Sequence, residues 1–326
     1  MSESLAEIGE EEIINRLKRF MPFGQSDDDT ALLNTFKKNV LVNTDVLVEG
    51  THFSKNTTSP QDIGWRAITA NLSDLASNGV DQVLGITVGL VAPPQTQWEW
   101  VEGVYNGIWE ALERFGGNVL GGDCSSGQQK LLAITAIGTP GPLRLQRSQA
   151  IPGDWLVTSG PHGLSRLGLA LLNSDPLANS DQLSKALKSK AILAHQRPMP
   201  PLKALRALES CKPTLLPWRA GGTDSSDGLI QAVKNLCRSS GCQAVLDPKK
   251  IPKNDDWPLG SHWDNWCING GEDFELVLSL PSMWAKNLIK VLPNSKAIGY
   301  MENGPPNIIW VDSRDPITEC SDFKHF

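Results

Sequence analysis

The sequence feature that most constrains this chain is the stretch at residues 221–229, GGTDSSDGL, in which two glycines lead into two aspartates spaced three apart. The residues that follow, IQAVKNL, have helical spacing. A serine at 225 or 226 is therefore predicted to cap a helix and to place Asp224 and Asp227 together on its first turn. Two carboxylates on one edge can hold a divalent cation, although Asp and Ser also serve as plain helix caps.

Acidic residues beside glycines, or at the end of an apolar run, recur along the chain. They are found at Asp27-Asp28-Asp29, Thr44-Asp45, Asp74, Asp123 in GGDCSS and Glu272-Asp273 in GGEDFEL. Asp74 lies inside a largely apolar helical pattern, where an unpartnered carboxylate is costly to bury, unless this position is exposed. The repetition favours metal binding over capping.

Length and charge limit the class of protein. A chain of 326 residues is long for one core, so two domains are expected. The net charge of -6 argues against a nucleic-acid backbone as the main partner. The first residues are acidic, and the longest apolar run is far shorter than the roughly 20 residues of a membrane span. We therefore expect a cytoplasmic protein that binds neither nucleic acid nor membrane.

The order of predicted elements indicates the fold class. Helices are predicted at 10–20, 60–78, 98–115, 164–172 and 282–292, with two more flanking HQRPMPP, and strands at 39–50, 81–93, 118–127, 131–139, 155–161, 244–252, 273–280, 296–300 and 307–311. Strict βαβ alternation is absent, which favours an α+β (mixed α/β) fold. The Pro- and Gly-rich residues 140–154 are predicted to contain a domain boundary.

Several familiar catalytic motifs are absent from the sequence. It has no G-x-x-x-x-G-K-[ST], G-x-G-x-x-G, H-E-x-x-H or G-x-S-x-G. Aspartates near glycine turns suit Mg²⁺ held between carboxylates and substrate phosphates, and the Gly-Gly of GGDCSS is predicted to form a turn whose N–H groups meet phosphate. The sequence thus predicts metal-assisted phosphoryl transfer. Arg147 is a candidate for contacting phosphate oxygens, with a solvated surface arginine as the alternative.

Nine segments in the correct order resemble the thiamine-monophosphate kinase family, of the superfamily that includes aminoimidazole-ribonucleotide synthetase. They are DDDTALL, NTDVLVEGTHF, WRAITANLSDLASNG, GGDCSS, RSQAIPGD, HQRPMPP, TDSSDGL, GGEDFEL and the terminal FKHF. The resemblance implies transfer of the ATP γ-phosphoryl to thiamine monophosphate, with several Mg²⁺ ions. It also implies a homodimer built through an N-terminal α/β domain, residues 1–145, and a C-terminal α+β domain, residues 146–326, that closes over nucleotide and substrate.

The resemblance also implies roles for particular residues. The metal-binding set is Asp29, Asn43, Thr44, Asp45, Asp74, Asp123, Asp224 and Asp227, of which Asp123, Asp224 and Asp227 are expected to be catalytic. The ATP contacts are Gly121, Gly122, Arg147, Ser226 and Tyr105, and the substrate contacts are His52, Glu272 and Phe323. The aromatic ring near the C-terminus would stack on the thiamine portion, and a carboxylate such as Glu272 would suit its cationic or hydrogen-bonding rings.

Two positions depart from the family pattern. Members usually have Gly-Asp-Asp where this chain has Asp27-Asp28-Asp29, so the turn at this point can differ; Asp29 is assigned because TALL follows it. Asn43 stands where Ser is common, which keeps an oxygen ligand but changes its reach.

Other members of the superfamily are the first alternatives. Selenophosphate synthetases depend on a reactive residue near the N-terminus, whereas the first cysteine here is Cys124. Hydrogenase-maturation proteins use a C-terminal cysteine, whereas this chain ends in His325-Phe326. The aminoimidazole-ribonucleotide synthetase lacks the GGEDFEL pattern and is the runner-up. A different class is a nucleotide or metal sensor without turnover, against which the retained aspartates argue.

Overall fold

The computed structural model describes residues 31–34 and 39–317. Three predictions fall outside these residues and stay predictions: the helix at 10–20, the metal ligand Asp29 and the substrate contact Phe323. Among the helices of the described residues, none is long and apolar enough to cross a membrane.

The first sheet has five strands in the order β1-β2-β5-β3-β4, with the parallel pair β3/β4 and antiparallel pairs elsewhere. The strands are β1 (Ala31–Asn34), β2 (Asn39–Val48), β3 (Val80–Ala92), β4 (Asn118–Ser126) and β5 (Leu131–Pro140). Two helices connect them: α1 (Pro60–Ser77) and α2 (Trp98–Phe115).

The second sheet has six strands in the order β11-β8-β10-β6-β9-β7. The strands are β6 (Trp155–Thr158), β7 (Gly221–Asp224), β8 (Gln243–Leu246), β9 (Leu276–Leu280), β10 (Lys296–Glu302) and β11 (Ile308–Trp310). The helices of this half are α3 (Leu164–Leu172), α4 (Lys185–Gln196), α5 (Leu202–Ser210), α6 (Leu229–Ser240), α7 (Ser261–Asn269) and α8 (Ser282–Val291). The mixed sheets and surrounding helices confirm the predicted fold class.

Small residues let α1 and α2 pack closely. A Cβ on Gly64 would lie 1.9 Å from the carbonyl oxygen of Val104, and one on Gly107 would lie 1.8 Å from that of Gln61. The apolar side of α1, including Ile68 and Leu72, is fully buried. The helix is thereby fixed in the core, and the polar residues that interrupt its apolar pattern are held in defined places.

The two sheets take their strands from either side of the predicted boundary near residue 145. One apolar cluster contains residues from both sides, among them Ile68, Leu145, Val157 and Trp284. The division into domains 1–145 and 146–326 therefore stays a prediction.

Most predicted elements are confirmed, but two were missed and two local predictions were wrong. The missed elements are β7, which lies in the very stretch read as a helix start, and α7. The helix after that stretch begins at Leu229 with Gly228 as its N-cap and no side-chain cap, so neither serine caps it. Gly121 and Gly122 lie within β4 and form no turn, because both residues pair with β3.

Candidate active site

An acidic cluster forms where α1 packs on β2, and its members are Asp45, Asp74, Asp224 and Asp227. Successive residues of a strand point to opposite faces, so Asn43 and Asp45 share the face that α1 covers. Asn43 donates from Nδ2 to Asp74 Oδ2 at 2.9 Å and to Asn71 Oδ1 at 3.0 Å, and both acceptors lie on α1. Asp74 is therefore inside the site and only partly exposed, so the alternative of an exposed helix position was wrong.

Asp224 enters the cluster from the second sheet. It is the last residue of β7, is buried, and accepts hydrogen bonds from Ser73 Oγ at 2.5 Å and Ser226 Oγ at 2.9 Å. Asp227 lies on the following turn and is exposed. Asp224 and Asp227 are thus brought together by the end of β7 and the turn after it. The prediction that they share the first turn of a helix was wrong.

The acidic side chains repel one another. Burial, and then the charges of Asp224 and Asp227, raise the pKa of Asp45 to about 6. Burial, and then Asp45 and Asp224, raise the pKa of Asp74 well above its ordinary value. Burial and like charges disfavour the ionised carboxylates, and a bound cation would reverse this balance.

The residues of this cluster fit Mg²⁺. Its ligands are hard oxygens, and Asn43 Oδ1 is a further one: it is buried and has no hydrogen-bond partner in the structure. Within residues 31–34 and 39–317, no three Asp, Glu, His or Cys side chains already surround one ion position. Mg²⁺ commonly uses one or two carboxylates and takes its other ligands from water and substrate phosphates.

Arg147 lies beside the cluster. It begins a short 3-10 helix, Arg147–Gln149, and its Nε donates to Thr223 Oγ1 at 3.2 Å, one residue before Asp224. The carbonyl of Arg147 accepts a hydrogen bond from Ser240 Oγ at 2.7 Å, which ties this helix to α6. A guanidinium at this place suits phosphate oxygens that also face the aspartates.

Glu272 forms a second part of the site. Its backbone N–H donates to the carbonyl of Ser226 at 2.7 Å, so it adjoins the turn that carries Asp227. Its carboxylate contacts Arg66 Nη2 at 2.5 Å and His195 Nδ1 at 3.4 Å. Burial alone would raise the pKa of Glu272, but Arg66 and His195 lower it to about 2. Glu272 is thus held as an anion.

His52 lies at the edge of this second part. Its Nδ1 accepts a hydrogen bond from Val48 N at 3.1 Å, and its carbonyl is 3.5 Å from Arg66 Nη2. The imidazole therefore closes the turn after β2. The His52 carbonyl lies near the guanidinium of Arg66, which contacts Glu272.

The remaining predicted residues lie away from the acidic cluster. The exposed hydroxyl of Thr44 shares a 2.7 Å hydrogen bond with Thr135, on the sheet face opposite to Asn43 and Asp45. The register places Gly122 three strands from Asp45, about 14 Å at ordinary strand spacing, and Asp123 follows it. The structure thus does not bring the side chains of Thr44 and Asp123 into the cluster.

The glycines and Tyr105 belong to this distant edge. A Cβ on Gly122 would lie 2.1 Å from the carbonyl oxygen of Val88, so the close approach of β3 and β4 requires glycine there. Burial, and then the neighbouring Cys124 of β4, raise the pKa of Tyr105 on α2. Tyr105, Gly121, Gly122 and Asp123 therefore occupy one region at the β4 edge of the first sheet.

The other acidic residues of GGEDFEL have structural roles. Asp273 accepts from the N–H groups of Gly163 at 2.7 Å and Ser165 at 3.1 Å, at the start of α3. Glu275 accepts a hydrogen bond from Ser159 Oγ. Burial raises the pKa of each carboxyl to about 7.

We expect Glu275 to make stability depend on pH. An unfolded glutamate has a pKa near 4.3, so the raised folded value stabilises the protein below about pH 4 and this contribution is lost as the pH rises through 7. Glu275→Gln, which mimics the protonated acid, should nearly match the native protein at pH 4 and exceed its free energy of unfolding at pH 8 by about 2–4 kcal/mol. Urea unfolding at both pH values measures this. The exposed Glu113→Gln is the control, and an equal change in both variants would contradict the expectation.

Sequence reasoning missed Arg66, Ser73 and His195 as site residues. Arg66 is buried within an apolar helix, and that position alone was a signal, because a buried guanidinium requires partners. The partners themselves, Glu272 and His195, are remote in sequence, so no local pattern points to them.

Comparisons with known proteins identify relatives of this chain. Residues 27–139 match the family described as AIR synthase related protein, N-terminal domain. A thiamine-monophosphate kinase of Prochlorococcus marinus is 57% identical, with 99% of this chain and 98% of the relative covered. A thiamine-monophosphate kinase of Synechococcus elongatus is 38% identical, with 99% and 98% covered. A solved structure, AaThiL complexed with AMPPCP and TMP, has a TM-score of 0.85 at 26% identity, with 100% of both chains covered.

The identities over nearly the full chain confirm the resemblance seen in the sequence and the predicted class of activity. The chain belongs to the thiamine-monophosphate kinase family, whose members are ATP-dependent phosphotransferases.

Proposed function

We propose that this protein transfers the γ-phosphoryl group of ATP to the phosphate of thiamine monophosphate, giving thiamine diphosphate and ADP. The observation that carries the proposal is the acidic cluster of Asp45, Asp74, Asp224 and Asp227, in which the neighbouring carboxylates help to raise the pKa values of Asp45 and Asp74. The cluster adjoins an anionic Glu272. Such a cluster suits two phosphate-bearing substrates that arrive with metal ions. The neighbouring Glu272 carboxylate suits a cationic ring on one of these substrates.

Mg²⁺ bound at the cluster would neutralise charge on the reacting phosphates. Asp45, Asp74, Asp224 and Asp227 would hold it, with Asn43 Oδ1 as a further oxygen ligand. Asp29 stays a prediction from the family pattern, as do Thr44 and Asp123, whose side chains lie outside the cluster.

Substrate binding falls to other residues of this chain. Arg147 would bind phosphate oxygens of ATP next to Asp224, and Ser226 would contact the same phosphates from the turn. Glu272 would bind the cationic part of thiamine monophosphate, with His52 nearby. Tyr105, Gly121 and Gly122 as nucleotide contacts, and Phe323 as an aromatic platform, remain parts of the proposal that rest on the family pattern.

The reaction requires no general base. A phosphate monoester has its second pKa near 6, so the attacking oxygen of thiamine monophosphate is mostly unprotonated at neutral pH. Positioning and electrostatic stabilisation then supply most of the catalysis. Aspartates that hold Mg²⁺, together with one arginine, would be chemically sufficient for this reaction.

A mass-spectrometric assay with ATP, thiamine monophosphate and Mg²⁺ tests the proposal. We expect thiamine diphosphate and ADP in equal amounts, and no product when EDTA replaces Mg²⁺, since the aspartates would otherwise repel the phosphates. ATP binding without thiamine diphosphate would overturn the proposal. A formylglycinamidine nucleotide would then be the next substrate, and failure to turn over either acceptor would favour a nucleotide or metal sensor.

We further propose a cytoplasmic homodimer, as the family resemblance implies. The face of the first sheet opposite α1 carries Thr44, Val46 and Thr135, and Val46 is 43% exposed. Strand β4 is exposed along its whole length. A second copy packed on this surface would cover it. The mass of the purified protein in solution, measured by light scattering, tests the dimer.

A further inference from the structure

Arg66 connects three separate segments of the chain. It lies on α1 and is only 4% exposed. Its Nη2 donates to Glu272 Oε1 at 2.5 Å, and its Nη1 donates to the carbonyl of His195 at the end of α4. The rigid fork of the guanidinium holds both contacts in one fixed geometry, which the rotating ammonium group of a lysine does not impose.

His195 contacts the other oxygen of the Glu272 carboxylate. Its ring is buried, with Nδ1 3.4 Å from Glu272 Oε2 and 3.2 Å from Ser165 Oγ. The Glu272 side chain is 34% exposed, whereas that of Arg66 is 5% exposed. The cation is therefore buried, whereas part of the Glu272 side chain stays accessible.

The backbone of Glu272 is itself constrained. Its φ of +62° is unfavourable for a residue with a side chain, and the surrounding contacts must maintain it. Those contacts are the ion pair with Arg66 and the hydrogen bond from Glu272 N to the Ser226 carbonyl. The direction of the carboxylate thus depends on Arg66.

The same helix carries Asp74 of the acidic cluster. Arg66 and Asp74 are eight residues apart, which is about 12 Å along an α-helix. Because α1 is buried and its backbone packs closely against α2 at Gly64 and Gly107, this separation is fixed. One rigid element thereby relates the position of Glu272 to that of the metal-binding aspartates.

We propose that Arg66 is the positioning residue for the acceptor: it orients Glu272 toward the cationic part of thiamine monophosphate at a fixed distance from the metal cluster. The proposal rests on the proposed function for the identity of the acceptor. Arg66 contacts no substrate in this scheme and acts through Glu272. Its removal should affect the acceptor and leave the nucleotide unaffected.

Isothermal titration calorimetry on the full chain tests this, with thiamine monophosphate and AMPPCP titrated separately. In Arg66→Lys, which keeps the charge but loses the fork, the Kd for thiamine monophosphate should rise about tenfold, with less than a twofold change for AMPPCP. Arg197→Lys is the matched control, because Arg197 also bridges helices through Asp62 and Glu110 but does not contact Glu272. It should leave both Kd values unchanged.

A double-mutant cycle with Glu272→Gln separates positioning from general damage. If Arg66 acts through Glu272, the Arg66→Lys change should have little further effect on acceptor binding once Glu272 is Gln. Should Arg66→Lys not fold, Glu272→Asp displaces the carboxylate with Arg66 in place and should show the same acceptor-specific loss. Equal weakening of both ligands, additive effects in the cycle, or an unchanged Kd for thiamine monophosphate in the variants would each overturn the proposal.

The assay for thiamine diphosphate distinguishes this proposal from the proposed function. Native protein that binds thiamine monophosphate through Glu272 and Arg66 but forms no product would overturn the function and leave the role of Arg66 intact. Product formation by the native protein, with an unchanged Kd for thiamine monophosphate in Arg66→Lys, would support the function and overturn the role of Arg66. Absence of any binding of thiamine monophosphate to the native protein would overturn both.

Discussion

Replacing Asp227 by Asn should lower kcat by about 10²–10³ and leave thermal stability nearly unchanged. Asp227 is exposed on the turn after β7 and is one of the carboxylates that raise the pKa of Asp45, so it lies close to Asp45 without being part of the core. Asn keeps the size of the side chain but removes the charge that would hold Mg²⁺ at the phosphates. Steady-state kinetics with saturating Mg²⁺ and a thermal melt measure the two quantities.

Asp255→Asn is the matched control. Asp255 is also an exposed aspartate, located between α6 and α7, and its charge is not among those that raise the pKa of Asp45 or Asp74. We expect its kcat to equal that of the native protein. Full activity in Asp227→Asn would remove this residue from the catalytic set, and a large fall in the melting temperature would mean that its role is structural.

Replacing Arg219 by Ala should cost about 3–5 kcal/mol of stability, the range measured when one partner of a buried ion pair is removed. Arg219 donates to both oxygens of Asp154, at 2.6 and 2.9 Å, and Asp154 is only 3% exposed. Arg219 also donates to the carbonyl of Gln149, in the short helix that begins with Arg147. Its loss would leave the buried Asp154 charge without its guanidinium partner. It would also remove a hydrogen bond to the short helix that carries Arg147.

Urea unfolding measures this effect, with Arg206→Ala as the control. Arg206 forms an ion pair with Asp81 at 3.2 Å, but both side chains are more than half exposed. Exposed pairs contribute about 0–1 kcal/mol, so this variant should be nearly as stable as the native protein. Similar losses in the two variants would contradict the expectation and would mean that burial of Asp154 is not the cause.

The local sequence patterns were sufficient for most of the secondary structure. The apolar spacing of residues 60–77 predicts α1, and the β-branched residues of 39–50 predict β2, because such side chains pack well on a strand. The pattern around residues 221–229 was misread, since its short strand β7 is buried on both faces and lacks alternation. A run of four residues in a buried strand carries too little periodicity to be recognised.

The sequence points to the acidic residues of the candidate site but not to their arrangement. Asp45, Asp74 and Asp224 were each identified from their neighbours in sequence, whereas Thr44 and Asp123 were placed in the same set although their side chains lie elsewhere. Successive side chains of a strand point to opposite faces of the sheet. Once β2 pairs with β5, the side chains of Thr44 and Asp45 therefore lie on opposite faces.

The sequence by itself determined the elements, the carboxylate chemistry and the family, because periodicity and ordered motifs are local properties of the chain. The tertiary structure decided which acidic groups meet, and that Arg66 holds Glu272 across 206 residues of sequence. The physical reason is that burial and charge interactions depend on distance in space, which is set by the non-local pairing of β7 with β9 and by the packing of α1 between the two sheets.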